Sequence, residues 1–251
     1  MRSAPRALIA GLGLIGGSIG MALRARGWRV AYADPNVDVT DAQRAGSADE
    51  RAESLDAAAD IIVIATPVDV AMKLVGTRYP GPATSVCSVM EPLREAARDE
   101  RFIAGHPLAG SHERGLAAAR PDLLRDRVWF VEKHDEILDR LVKDCGARIE
   151  IVNARQHDAA VALTSHLPQL LSTALAAYLD RQGIEERFVG GGLRTFLRLA
   201  GSDASVWMPV IEANRMNIEP HAAAVEEIIR EILRGDPSAF ERAQRLWSRL
   251  Q

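Results

Sequence analysis

Cysteine is nearly missing from this 251-residue chain: Cys87 and Cys145 are its two, and neither their number nor their spacing makes a disulfide framework or a metal knuckle. Free thiols in a reducing compartment follow, so a cytoplasmic protein without a metal is expected. A dominant charge is missing as well. The formal net charge is −3, acids and bases are interspersed, and with 5% aromatic residues no basic tract carries rings between its cations. Neither a polyanion-binding arm nor a membrane-surface patch is thereby indicated, and neither nucleic acid nor membrane is expected as a partner. Long apolar runs are absent too. The run Ala7 to Ala10 is cut at once by glycine with no cleavage pattern behind it, so it reads as a strand and not an export signal. No run is long enough to span a bilayer.

What remains is an ordinary globular composition, 47% hydrophobic, sized for one large domain or two modest ones. Its most specific feature is Gly11-Leu12-Gly13-Leu14-Ile15-Gly16 set directly behind Ala7-Leu8-Ile9-Ala10. Glycines where a first strand turns into a first helix allow a tight turn, a close approach of backbone to a pyrophosphate, and close packing of helix on strand. The phosphates then meet free N–H groups at the helix N-terminus. A helix over Ser18 to Arg26, ending at Gly27, and a strand over Trp28 to Ala33 lead to Asp34. An acid about twenty residues past the glycines is placed to hold a ribose 2′-hydroxyl and to repel a 2′-phosphate, which favours NAD over NADP. Asp34-Pro35-Asn36 also suits a simple turn.

Strand-like and helix-like runs alternate through the first 150 or so residues, the rhythm of a parallel sheet. Asp60 to Ala65 reads as a strand buried on both faces, and Thr66-Pro67 ends it where a cofactor-facing loop belongs. Residues 85–88, 102–105, 128–131 and 148–152 read as further strands. After Asn153 the texture turns helical, which predicts an α/β architecture of two parts: a Rossmann-like dinucleotide-binding domain over 1–153 and an all-helical domain over 154–251. The helix expected from Ala154 carries Val161, Leu163, Leu167, Leu170, Leu171, Leu175 and Ala176 on a wide apolar arc, which calls for a partner surface and hence a homodimer. His106 follows the strand expected to end at Gly105, so its imidazole should emerge at the carboxyl end of a parallel strand, where open α/β sheets bind ligands. Imidazole takes a proton near neutral pH, and Ser88, at the end of the preceding strand, can orient it or the reacting hydroxyl.

Four motifs in order then carry a family resemblance: the glycine loop running on to Gly17-Ser18, His106-Pro107-Leu108-Ala109-Gly110-Ser111, His157-Asp158 with Ser165-His166-Leu167-Pro168, and Gly190-Gly191-Gly192-Leu193-Arg194 leading to Ala200-Gly201-Ser202-Asp203. Over nearly its whole length the chain resembles the prephenate and arogenate dehydrogenases of tyrosine biosynthesis. That resemblance implies a Rossmann-like domain joined to a helical dimerisation domain, and NAD(P)-dependent oxidation of a cyclohexadienol with loss of its ring carboxylate as carbon dioxide. It makes His106 the catalytic group at the substrate's 4-hydroxyl, Ser88 its helper, and Ser111 a substrate contact. Ser165 and His166 would face the cleft. Some relatives append a regulatory module, and with the first strand starting within the first few residues and the last helical stretch ending near Gln251, neither such a module nor a chorismate mutase region is expected here.

Two positions depart from the family pattern. Gln169 stands where prephenate-preferring relatives carry a second histidine, and Met208 where they carry arginine. Both lost groups would anchor substrate carboxylates. Arogenate, with an amino group in place of the ketone, is therefore slightly favoured over prephenate, with Arg215, Arg194 or Arg198 able to compensate. An amino-deoxyprephenate of a secondary pathway fits the same logic. The alternatives are a dehydrogenase of the β-hydroxyacid or imine-reductase type, for which Asp158 is the one acid near the start of the long helix, and a non-catalytic NAD sensor, against which His106 and Ser88 argue.

Overall fold

The computed structural model describes residues 4–110 and 113–251. Alternation of strands and helices begins with β1 (Arg6–Ala10), α1 (Leu14–Arg24), β2 (Arg29–Ala33), α2 (Val39–Arg44), β3 (Glu50–Arg51), β4 (Ile61–Ile64) and α3 (Val68–Val75). It continues through β5 (Ala83–Ser85), α4 (Glu91–Ala96), β6 (Phe102–Ile103), β7 (Gly105–Pro107), β8 (Val128–Val131), α5 (Glu136–Asp144) and β9 (Arg148–Ile151). Six strands form one parallel sheet in the order β3-β2-β1-β4-β5-β6. The order reverses between β1 and β4, and a crevice opens outside the carboxyl ends of strands at such a point.

Side-chain alternation explains why these runs are strands. Ala7, Ile9, Ile61 and Val63 enter one core with Ile19 and Leu23 of α1 and Leu138, Leu141 and Val142 of α5. Leu8, Ile62 and Ile64 enter the other, with Val68, Ala71 and Val75 of α3 and Leu93 of α4. Both faces of the sheet are dry, so β1 and β4 are continuously apolar. At the amino end of α5, the Asp135 carboxylate accepts from the Ile137 and Leu138 amides at 3.1 and 3.2 Å, a side-chain N-cap.

Two expectations are corrected here. The stretch 102–105 is not one strand: the Ala104 amide donates to the Glu132 carboxylate at 3.0 Å, which interrupts the ladder. Beyond that break β7 starts a second sheet, β7-β8-β9, in which β7 is antiparallel to β8 and His106 sits opposite Phe130. His106 thus lies within a strand of the second sheet and not past the end of a parallel one. Likewise β5 ends at Ser85, so Ser88 lies in the segment leading to α4.

The helical half consists of α6 (Ala154–Val161), α7 (Leu167–Arg181), α8 (Gly191–Phe196), α9 (Ala204–Ala213), α10 (Arg215–Leu233) and α11 (Ser238–Arg249). The single helix expected from Ala154 is interrupted by a π-helical turn, Ala162–His166, in which the Leu167 amide reaches back five residues to the Ala162 carbonyl. Pro168 has no amide to continue the ordinary ladder, which accounts for the wider turn. Ala154 of α6 and Val210 of α9 dock on the second core of the sheet. No helix among the described residues is long and apolar enough to cross a membrane.

Close packing of α1 generates a test. A Cβ on Gly20 would lie 2.0 Å from the Ser47 carbonyl oxygen, a backbone atom that cannot swing aside. Gly20→Ala is expected to destabilise the fold by about 1–3 kcal/mol, the cost of forcing an extra carbon into a packed interior. Urea unfolding that leaves the midpoint unchanged would refute this packing.

Candidate functional site

A cleft of about 650 Å³ opens at the reversal point of the sheet. Its floor is the glycine loop, and the physical demands there are visible in the backbone. Gly11 has φ +87°, a conformation that disfavours a side chain, and a Cβ on it would stand 2.7 Å from the Ala65 carbonyl oxygen. A Cβ on Gly16 would stand 2.1 Å from the Gly11 carbonyl oxygen, whereas one on Gly13 would meet nothing within 4 Å. The loop is therefore packed tightly from behind and open in front, the shape that a pyrophosphate cradle needs. Gly13, Leu14 and Ile15 line the cleft, as do Thr66 and Pro67 beyond the end of β4.

Asp34 follows β2, and both its oxygens are engaged: one accepts from the Leu12 amide at 2.8 Å, the other from the Asn36 amide at 2.8 Å. The acid is thus tied to the glycine loop and also makes the turn that Asp-Pro-Asn suits. Ser88, His106 and Ser165 line the same cleft from three different segments. Cys87 lines it too, but burial pushes its thiol up to about 12, and its Sγ donates to the Thr66 carbonyl at 3.6 Å, so it is no nucleophile.

Behind His106 stands a chain of polar groups. His106 Nδ1 is 2.9 Å from His157 Nε2, and His157 Nδ1 is 2.7 Å from Asp158 Oδ1. The Asp158 carboxylate also accepts from the Met90 amide at 2.9 and 3.1 Å and from the Glu91 amide at 2.8 Å. Asn214, at the junction of α9 and α10, donates to the Asp158 carbonyl at 2.9 Å and contacts His166 Nδ1 at 3.0 Å. Burial, then the neighbouring His157 and His166, lower the His106 pKa to about 3. Burial also lowers that of His166 to about 4, against the opposing pull of Asp158.

Other residues singled out in the sequence stand elsewhere. His166 is fully buried beneath the cleft with the Trp207 ring edge-on to it, and its Nε2 has no hydrogen-bond partner among the described residues. Gln169 is buried as well, its amide donating to the Leu199 carbonyl at 2.8 Å and to Thr173 Oγ1 at 3.0 Å. Met208 is 56% exposed and outside the cleft lining. Arg215 pairs with Glu212 and Glu219 on the surface. Ser111 lies outside the described residues.

Reading the sequence missed His157 and Asp158 as site residues, although they form one of its motifs. It also missed Arg114 and Asp203, which line the cleft and pair at 2.6 Å. Arg114 follows the His106 motif by a few residues, the only local signal it offers.

The parallel sheet with its glycine cradle, closed over by helices that bring polar groups to one cleft, defines a dinucleotide-binding dehydrogenase of two parts. Residues 19–151 match the model of the prephenate dehydrogenase nucleotide-binding domain, and residues 153–243 match that of the prephenate dehydrogenase dimerization domain. The chain belongs to the prephenate dehydrogenase family. It is 28% identical to prephenate dehydrogenase of Lactococcus lactis, over 93% of this chain and 73% of that protein. With prephenate dehydrogenase of Bacillus subtilis it shares 29% identity over 90% of this chain and 67% of that protein. A crystal structure of Aquifex aeolicus prephenate dehydrogenase, in complex with hydroxyphenyl propionate and NAD+, has the same fold: TM-score 0.81 and 24% identity, covering 99% of this chain and 96% of that one. The domain match begins after the glycine loop, so the reading of that loop rests on its own geometry.

The depressed histidines make stability depend on pH. Between the ordinary value of 6.5 and the lowered ones, about 4 for His166 and about 3 for His106, the unfolded chain binds protons that the folded chain refuses. Stability is therefore lost as pH falls through this window, by up to about 1.4 kcal/mol per pH unit for each histidine. Urea unfolding across the window should show this slope, and His166→Asn should make it shallower. An unchanged slope would mean that His166 titrates alike in both states.

Proposed function

We propose that the chain catalyses NAD-dependent oxidative decarboxylation of a cyclohexadienol, with arogenate favoured over prephenate. The observation that carries this is the meeting, in one cleft, of the glycine cradle, Ser88 and an imidazole, His106, whose Nδ1 is engaged by His157. Gly11, Gly13, Leu14, Ile15 and Gly16 would hold the pyrophosphate of NAD, Asp34 its ribose, and Thr66 with Pro67 the wall beyond. When bound, NAD supplies the acceptor for the hydrogen and electron pair that leave ring carbon 4. His106 accepts the proton of the 4-hydroxyl as that carbon is oxidised, and Ser88 orients the hydroxyl. The bond to the ring carboxylate then breaks, carbon dioxide departs, and its electron pair completes the aromatic ring. The phenolate oxygen takes the proton back, so the reaction neither consumes nor releases one.

Support for arogenate comes from the cleft's charges. Its charged lining among the described residues is one cation, Arg114, and two acids, Glu113 and Asp203. Arg114 and Asp203 pair with each other at 2.6 Å, and such a pair can open to a zwitterion, its arginine to a carboxylate and its acid to an ammonium that arogenate has and prephenate lacks. Gln169 and Met208, where the sequence differs from prephenate-preferring relatives, support this less directly, since neither lines the cleft. A division into domains at residue 153 is supported by the change from β9 to α6. A homodimer is supported by the name of the second domain model and by exposed Met216 and Leu233 of α10 and Phe240 and Trp247 of α11. Two buried free thiols suit a cytoplasmic setting.

The experiment follows NADH absorbance with each substrate and each cofactor. Arogenate with NAD should give the highest kcat/KM, and NAD should exceed NADP by about ten-fold or more, roughly 1.4 kcal/mol. Reduction of NAD with neither cyclohexadienol overturns the function, and equal use of NADP removes the role of Asp34. Asp203→Asn keeps an N-cap on α9 while removing a charge, and should shift the arogenate-to-prephenate ratio toward prephenate by about ten-fold. A ratio that does not move excludes Asp203 as a specificity determinant. His106→Asn should lower kcat about a hundred-fold or more with NAD affinity intact; near-normal turnover would make His106 structural.

A further inference from the structure

We propose that His157 and Asp158 are positioning residues that fix the tautomer of His106 and store the proton it takes, through the line Asp158 Oδ1, His157 Nδ1 and Nε2, His106 Nδ1. The inference rests on the reading of His106 as the group that accepts the substrate's hydroxyl proton.

With His157 taken as neutral at rest, hydrogen-bond bookkeeping leaves one arrangement for the line. Asp158 already accepts the Met90 and Glu91 amides on its two oxygens, so it meets His157 Nδ1 as an acceptor too, and that nitrogen carries the proton. A neutral His157 then offers a lone pair at Nε2. His106 Nδ1, 2.9 Å away, must therefore be the N–H that donates to it. The one proton of neutral His106 is thus placed on Nδ1, and its Nε2 is held as a free acceptor.

The same line has somewhere to put the extra proton. When His106 Nε2 binds the hydroxyl proton, the Nδ1 proton can pass to His157 Nε2, and the positive charge comes to rest beside the Asp158 carboxylate. When the ring becomes aromatic, each proton moves back along the same hydrogen bonds and the phenolate oxygen is protonated. No proton needs to leave, and none has an easy path: His157 is 2% exposed and Asp158 1%. A purely structural pair would require only that Asp158 hold the start of α4 against α6. It would not require His157 to sit between that carboxylate and His106, with its ring edge-on both to His106 and to Phe130 of β8.

The test uses the full chain with 15N-labelled histidine, whose ring nitrogen shifts show which nitrogen carries the proton, alongside steady-state rates. In the unaltered protein at neutral pH, His106 should be protonated at Nδ1 and bare at Nε2; a proton on Nε2 overturns the proposal. Asp158→Asn places an amide N–H opposite His157 Nδ1 and should reverse both tautomers, leaving Nε2 of His106 protonated. Turnover should then fall about a hundred-fold or more, as in the serine-protease triad, where the same change costs about 10⁴. KM and NAD affinity should stay within about two-fold, because the lost interaction acts in the chemical step. Unchanged tautomers and turnover in this variant overturn the relay. If the variant does not fold, the tautomers of the unaltered protein decide alone. Should they stand as expected while no cyclohexadienol is oxidised, the line of hydrogen bonds is upheld and the functional reading fails.

Discussion

A carboxylate with 1% of its surface exposed has to find several donors inside the protein, and the donors that Asp158 finds come from both halves of the chain. Met90 and Glu91 belong to the sheet half, at the entrance to α4, whereas Asp158 and His157 belong to α6. Asn214, from between α9 and α10, closes on the same residue's carbonyl. One buried residue therefore fixes three segments relative to one another, two through its carboxylate and the third through its main-chain carbonyl. Ser88 lies two residues before Met90, and His106 is bonded to His157, so the two side chains read as catalytic are set by the same anchor.

The cleft depends on this anchor more than on either half alone. The parallel sheet supplies a crevice at its reversal point, with the glycine loop and the end of β4 as two walls. Ser88, His106 and Arg114 also come from the sheet half, and the helical half adds Ser165 from the π-helical turn and Trp207 and Val210 from α9. That turn matters because it changes the direction of side chains in the middle of what would be one helix. Ser165 is turned to the cleft while His166, the next residue, is buried beneath it.

Much of this was legible in the sequence, and the parts that were not share a cause. Local patterns located β1, β2 and β4, the glycine turn and the change to helices after Asn153, because a sheet buried on both faces reads out as short continuous apolar runs. The break at Ala104 was invisible because it depends on Glu132, which is distant in sequence. The π-helical turn was signalled by Pro168, but only as a disturbance whose form the neighbouring packing decides. Gln169 looked like a substrate contact from its motif, yet its amide is spent on the Leu199 carbonyl and Thr173. Polar residues near a site can serve the scaffold as easily as the ligand, and sequence spacing does not separate the two. His157 and Asp158 show the converse, since their motif was noticed but their bond to His106 crosses 51 residues.

A pKa lowered to about 3 looks at first like a poor property for a base at neutral pH. On the proposed reaction it is an advantage. The hydroxyl proton is hardly acidic in the resting substrate, but as electrons leave carbon 4 the group approaches a protonated ketone, and its acidity rises by many orders of magnitude. A weak base suffices at that moment, and it does not capture a proton from solvent beforehand, so Nε2 is free when substrate arrives. The weak base also returns the proton readily to the phenolate, which a stronger one would resist. Burial that keeps His106 neutral at rest, with His157 behind it to take the charge in passing beside the Asp158 carboxylate, meets both demands with the same set of side chains.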